Sequence, residues 1–209
     1  VQLTISNWDE LMGTGTLDDC HAPVHPHHPE LGQRHFKFGK SLWIERSDYE
    51  ETPPKGFFRL FPGNKVRLKY GYVIECTGAN KDSNGHVTEV LAQLIPDTKS
   101  GTPGSDSVKV KGVMTWVAQA DAVAAEVRLY DRLFNEANPD SGGKDFLSCL
   151  NPDSLKVIQA YVEPALAKSS PDAKFQFERH GYFVADRLDY ACDKPVFNRC
   201  TGLKDTWSK

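Results

Sequence analysis

Residues 57–78 read FFRLFPGNKVRLKYGYVIECTG, and their spacing carries most of the information about the fold. Pro62-Gly63 is a turn dipeptide between two extended runs. After it, Val66, Leu68 and Tyr70 alternate with Arg67 and Lys69, the period of a half-buried strand. The apolar side is expected to face a core and the basic side to face water. Working outward, VQLTISNW and KSLWIERSDY are further strand candidates on the N-terminal side. On the C-terminal side, Asn84-Gly85 sits between two extended segments, the strongest short signal for a hairpin because both residues tolerate positive φ.

Residues 98–107, TKSGTPGSDS, are a polar loop, and VKVKGVMTWVAQ alternates again. ADAVAAEVRLYDRLF is ambiguous. Val123, Val127, Tyr130 and Phe134 fit helical spacing and the alanines favour helix, yet EVRLY also alternates. KDFLSCL suggests one or two helical turns. SLKVIQAYV, KFQFERHGYFVAD and KPVFNRCTGLKDT complete the set as strands. Short strands with turn signals every 8–15 residues predict a mainly β, barrel or sandwich architecture.

Composition narrows the function. The chain has 209 residues, is 39% hydrophobic and 25% charged, and holds no apolar run near the roughly 20 residues that a membrane span requires. Val1 in place of Met, with no signal peptide before it, reads as a piece of a longer chain. Five widely spaced cysteines without C-x-x-C favour a reducing, cytoplasmic setting over a disulfide framework. The net charge of −3 hides a local bias. Residues 1–54 hold 4 Lys/Arg against 9 Asp/Glu, whereas residues 55–81 hold 6 against 1.

Three chemistries compete with plainer readings of the same residues. Cys20, His21, His25, His27 and His28 fall within nine positions and suggest zinc. No second ligand pair accompanies them, and Pro23, Pro26 and Pro29 stiffen the run, so an exposed loop is the better account and no metal is expected. No G-x-S-x-G, phosphate loop or H-E-x-x-H is present, so no catalytic residue is assigned. Nucleic acid is the third. Arg59, Arg67 and Lys69 interleave with Phe57, Phe58, Tyr70 and Tyr72, a mixture of cations for phosphates and rings for stacking. Gln176 and Arg179, in FQFERHGYF, offer paired groups able to read a base edge. The plainer reading of both stretches is a solvated strand face.

FQFERHGYFVAD followed by KPVFNRCTGLKDTW closely resembles the C-terminal end of glutaminyl-tRNA synthetases. GNKVRLKYGYVIEC, VKGVMTWV and EVRLYDRLF resemble successive segments of the same region in the same order, and HPHHPELG resembles that family's H-P-x-x-P-E-x-G loop. The resemblance implies the anticodon-binding region of a class I synthetase, built of two β-barrels, the distal one similar to a ribosomal protein that binds 5S ribosomal RNA. It places a proximal barrel over 1–54 plus 142–209 and a distal barrel over 55–141, and treats EVRLYDRLF as strand. Gln176 and Arg179 match positions that contact the central anticodon uridine. Arg59 and Arg67 match positions that hold the flanking bases and their phosphates. Lys69 stands where relatives carry Arg, which loses the planar fork. Phe58 replaces a basic residue, so stacking would replace an ionic contact. His27 is a candidate contact from the proline loop, and only His25 belongs to that loop's framework. The expected partners are glutamine tRNA and the chain's own N-terminal catalytic domain, with the protein a monomer away from membranes. ATP and Mg belong to that catalytic domain, whose His-x-Gly-His and Met-Ser-Lys signatures are absent here, so no cofactor and no catalysis are expected of this chain. Alternatives are the matching region of an archaeal or eukaryotic-type glutamyl-tRNA synthetase, a free-standing ribosomal-protein-like RNA-binding module, or a metal-binding domain. The closing GLKDTW favours the glutaminyl branch.

Overall fold

The computed structural model describes residues 1–203. The chain forms two compact units, one of Val1–Ala122 with Glu163–Ala165, the other of Val123–Val162 with the residues from Leu166 onward. Among the described residues the secondary structure is mostly strand, with a single short α-helix and several 3-10 turns.

The first unit is organised by a seven-stranded sheet. Its strands are β1 (Gln2–Ile5), β4 (Ser41–Trp43), β5 (Lys65–Leu68), β6 (Val73–Lys81), β7 (Val87–Leu94), β8 (Gly112–Met114) and β9 (Val117–Ala118). The order across the sheet is β8-β5-β6-β7-β1-β4-β9. Only Thr115 and Trp116 separate β8 from β9, which stand at opposite ends of that order. So short a link reaches about 10 Å, so the sheet must curl until its ends approach. The β6–β7 hairpin turns at the expected Asn84-Gly85, where Gly85 has φ of +82°. Asp82 Oδ1 shapes the turn by accepting from the backbone N–H of Asn84 at 2.8 Å and of His86 at 2.9 Å.

A separate hairpin, β2 (Asp18–Pro23) with β3 (Gln33–Phe38), packs on this sheet. Helix α1 (Trp8–Met12) follows β1 and stops at Gly13, whose φ is +92°. Strand character in VQLTISNW therefore ends at Ile5, because Trp8 turns into the core as the first helical residue. Trp8, Phe38, Tyr72 and Trp116 fill that core with ring centroids 4.7–5.3 Å apart along Trp8–Phe38, Phe38–Tyr72 and Phe38–Trp116.

The second unit is a five-stranded sheet of β10 (Val123–Tyr130), β11 (Leu155–Val162), β12 (Lys174–Phe177), β13 (Gly181–Ala185) and β14 (Val196–Thr201), ordered β11-β10-β14-β13-β12. Residues 126–130 are strand, with Val127 buried and Arg128 on the opposite face, which resolves the helix–strand ambiguity of that stretch. KDFLSCL contains a 3-10 turn at Phe146–Cys149, capped by Asp145. Phe175, Phe177, Phe183, Tyr190 and Phe197 form the aromatic centre, with Phe177 stacked on Phe183 at 4.3 Å.

The partition differs from the expected barrels at 1–54 plus 142–209 and at 55–141. Main-chain pairing crosses both of those boundaries. β1 pairs with β7 in parallel and with β4 antiparallel, and β4 pairs with β9, so strands from both expected barrels share one sheet. Leu3 and Ile5, completely buried, lock β1 into that core. The break falls instead between Ala122 and Val123.

Candidate nucleic-acid interface

The expected alternation holds on β5. Val66 and Leu68 are completely buried, while Lys65, Arg67 and Lys69 lie on the other face. The parallel register sets Val66 beside Gly112 and Arg67 beside Val113, so β8 continues this face outward. Lys65 pairs with Glu75 at 3.4 Å. Lys69 Nζ lies 5.3 Å from the Tyr70 ring, and the Lys69 carbonyl accepts from Trp116 Nε1 at 2.9 Å. The Arg34 guanidinium lies 5.7 Å from the same Tyr70 ring. Arg67 differs from its neighbours. Its side chain is only 15% exposed, and it donates to the carbonyls of Thr98 and Ser105 and to Ser100 Oγ.

Beside β8 lies a surface depression of about 400 Å³, lined by Gly56, Phe57, Phe58, Arg59, Lys111, Gly112 and Val113. Gly112 has no room for a side chain, since a Cβ there would stand 1.8 Å from the Phe58 carbonyl oxygen. That contact presses residues 57–59 against the β8 edge. The Phe58 ring is half exposed, with Lys111 Nζ 5.5 Å from it. Arg59 projects beside it, tethered at 3.1 Å to the fully buried Asp48 carboxylate. Asp48 therefore neutralises part of the Arg59 charge while fixing its direction. Lys109 and Lys111, both exposed, extend this basic surface and were not singled out from the sequence. The signal was present in VKVKG, whose alternation puts both lysines on one side.

His27 lies exposed in the loop that joins β2 to β3. Its backbone N–H donates to His25 Nδ1 at 3.1 Å, and His28 contacts Glu30 at 2.8 Å. Among the described residues, no group of three or more His, Cys, Asp or Glu side chains is arranged to hold a metal ion. His21 belongs to β2 and faces His35 on β3, with ring centroids 6.2 Å apart, away from the loop histidines in register. Cys20–Pro23, expected to belong to an exposed loop, is instead part of strand β2.

In the second unit, Gln176 sits exposed on the edge strand β12 opposite the half-exposed Tyr182. Phe175 and Phe177 on either side of it point to the core, which fixes its outward direction. Arg179 is exposed in the tight turn that follows, with φ of +69°. His180 N–H donates to the Phe177 carbonyl at 3.0 Å, closing the turn. The structure thus places Gln176 and Arg179 on one hairpin, and Arg59, Arg67, Lys69 and His27 in the first unit.

An ionic group at the middle of the second sheet was also illegible in the sequence. Arg128 contacts Glu126 at 2.7 Å, Asp186 at 3.2 Å and Asp189 at 2.7 Å. Asp186 accepts from the backbone N–H groups of Asp189 and Leu188 and from Asn198 Nδ2. Those donors hold its carboxyl down at about 2, with the Arg128 charge adding to them. Nothing in the local spacing of Arg128, Asp186 and Asn198 announces that they meet.

Two family models, both described as tRNA synthetases class I (E and Q), anti-codon binding domain, match residues 1–95 and 113–186. The chain belongs to this family. Its relatives agree over the full length of the chain. It is 65% identical over 209 residues to a glutamine–tRNA ligase of Cupriavidus taiwanensis and 64% to one of Cupriavidus necator. A glutamine–tRNA ligase of Bordetella avium is 60% identical over 208 residues. In each case the chain spans 35% of the relative's length.

Proposed function

We propose that this chain reads the anticodon of glutamine tRNA as part of a glutamine–tRNA ligase. The observation that carries the reading is the agreement of the whole chain with ligases of that name at 60–65% identity. The geometry supplies a physical route. An anticodon loop is stacked, and its bases must unstack and splay before their edges are read, at a cost of a few kcal/mol. Arg59, Lys111 and Lys69 offer cations toward backbone phosphates, and Phe58 offers an exposed ring on which a base can stack. Gln176 and Arg179 stand outward on one hairpin, where an amide and a guanidinium satisfy the edge of the central uridine. His27 extends the contact from its loop. A wrong base leaves polar groups unpaired, at roughly 1–3 kcal/mol each.

Aminoacylation, with its ATP and Mg, belongs in this reading to a catalytic domain outside these residues, in a monomeric cytoplasmic parent. No helix among the described residues is long and apolar enough to cross a membrane. The test is binding of the chain, at fixed low salt, to two anticodon stem-loops, CUG for glutamine and CUC for glutamate. Preference for CUG is the expected result. Preference for CUC would move the chain to the glutamyl branch, and equal, purely salt-driven binding would reduce it to electrostatic docking.

A further inference from the structure

Arg67 sits where a phosphate-binding cation is expected, yet its guanidinium is already spent inside the protein. Nη1 donates to the Thr98 carbonyl at 2.8 Å and to Ser100 Oγ at 3.3 Å, and Nη2 donates to the Ser105 carbonyl at 2.6 Å. The Asp106 carboxylate lies 4.0 Å from Nη2. Arg67 therefore ties together both legs of the 98–107 loop. The loop's first residue is a firm anchor. Thr98 is completely buried, donates through Oγ1 to the Ile95 carbonyl at 2.6 Å, and accepts from the Val73 N–H at 3.0 Å.

The clamp reaches the basic face through one residue. Ser100 accepts from Arg67 and passes the interaction on, with both its Oγ and its N–H donating to the Gly71 carbonyl, at 2.9 and 2.8 Å. Gly71 follows Tyr70, whose φ of +61° is a left-handed conformation for a bulky residue. Such a corner costs on the order of 1–3 kcal/mol and persists only where its surroundings hold it. This corner carries the Tyr70 ring beneath Lys69 and the Lys69 carbonyl under Trp116.

We propose that Arg67 is a positioning residue: it holds the Lys69–Tyr70 corner in its RNA-facing geometry through Ser100 and Gly71, and does not itself contact phosphate. The RNA-facing part rests on the anticodon-binding reading above. The test compares the wild-type chain with Arg67→Lys, Arg67→Ala, Ser100→Ala, Lys69→Ala and the Arg67→Lys/Lys69→Ala double variant. Two readouts are taken: tryptic cleavage after Lys99 in RNA-free protein, and affinity for the CUG stem-loop as a function of salt. Arg67→Lys keeps the charge and loses the fork. It is expected to speed cleavage at Lys99 severalfold with the overall melting transition retained, and to weaken RNA binding about five- to tenfold. Ser100→Ala, far from any charge change, reproduces part of both effects. Lys69→Ala costs about tenfold in wild type and about twofold or less in the Arg67→Lys background, because the corner is already lost. A merely structural role for Arg67 would leave the cost of Lys69→Ala unchanged. The proposal is overturned if Ser100→Ala is neutral and the two single losses multiply. It is equally overturned if Arg67→Ala leaves the loop protected while lowering the salt slope by about one contact, as a direct phosphate ligand would. If the wild-type chain binds neither stem-loop, the RNA-binding reading falls, and protection of Lys99 alone then decides whether Arg67 holds the loop.

Discussion

The two units place their charges differently. In the first, cations line the outward face of β5 and the β8 edge, and their tethers grade from the enclosed Arg67, through Arg59 on the buried Asp48, to the exposed Lys111. In the second, Arg128 on β10 is largely enclosed among Glu126, Asp186 and the exposed Asp189, and the candidate base readers stand on the edge hairpin. The difference teaches that position in a basic stretch does not assign a role. Enclosure with several carbonyl or carboxylate partners makes a cation part of the scaffold, and hydration leaves it available to RNA. The cores differ as well. Among the described residues, 22 buried side chains form the core of the first unit and 7 that of the second.

The sharpest way to break the comparison is to empty the smaller core. Phe197→Ala removes a fully buried ring that touches Phe175, Phe177 and Tyr190, at a cost of about 3–5 kcal/mol. The expected outcome is early loss of amide protection in residues 123–162 and 166–203 while β1 and β5–β7 stay protected. Simultaneous loss in both would show that the two cores stand or fall together.

Next in size is the contrast between reading and holding. Gln176→Ala is expected to cost about 1–3 kcal/mol of discrimination at the central anticodon base. Lys111→Ala should weaken all stem-loops alike and lower the salt slope by about one. Mutant stem-loops titrated at several salt concentrations separate the two. Equal loss of discrimination in both variants would erase the distinction.

Asp186→Asn probes the enclosed network and is expected to cost about 1–2 kcal/mol at pH 7. The carboxyl sits at about 2 in the folded chain, below its value of roughly 4 when unfolded. Its stabilisation is therefore present above pH ~4 and fades as pH falls toward 2. Denaturant midpoints at pH 7 and pH 3 should fall further apart in wild type than in the variant. The smallest effect is chemical. Cys192 and Cys200 are exposed, whereas burial pushes the Cys20 thiol up to about 12 and the Cys76 thiol up to about 11. Native thiol labelling should modify Cys192 and Cys200 and spare Cys20, Cys76 and the buried Cys149. Rapid labelling of Cys20 would mean that the β2–β3 hairpin opens.

Much of the sheet was legible because alternation is local. Val66 and Leu68 against Arg67 and Lys69 fix a strand, and Asn84-Gly85 fixes its neighbours' turn. The β2–β3 hairpin was hidden because its inward residues on β2 are the small Cys20 and Ala22, beside a histidine-rich loop that drew attention to metal chemistry. The division into these two units was not legible because strand pairing is non-local, and no spacing shows that β1 lies beside β7. Gln176 and Arg179 stand out in the sequence only as side chains able to pair with a base edge, and the role at the central uridine comes from the resemblance, since Gln176 on an edge strand looks like any solvated polar residue. The position of Arg67 on β5, on the face opposite Val66 and Leu68, follows from alternation, but the enclosure of its guanidinium does not, because its carbonyl partners come from a loop about thirty positions away, beyond the reach of any periodic pattern. The tail of GLKDTW from Lys204 on, which favours the glutaminyl branch, lies outside the described residues.

The place of β1 inside the first sheet also governs when the unit can assemble. Its neighbour β7 is supplied 87 residues later, as the Gln2–Glu89 pair shows, and β9 closes the far side later still. On a ribosome β1 must wait, unpaired along one edge, until β7 emerges. Closing so long a loop makes the β1–β7 pairing slower than the local β2–β3 and β6–β7 hairpins, and leaves an unpaired strand edge until it is made.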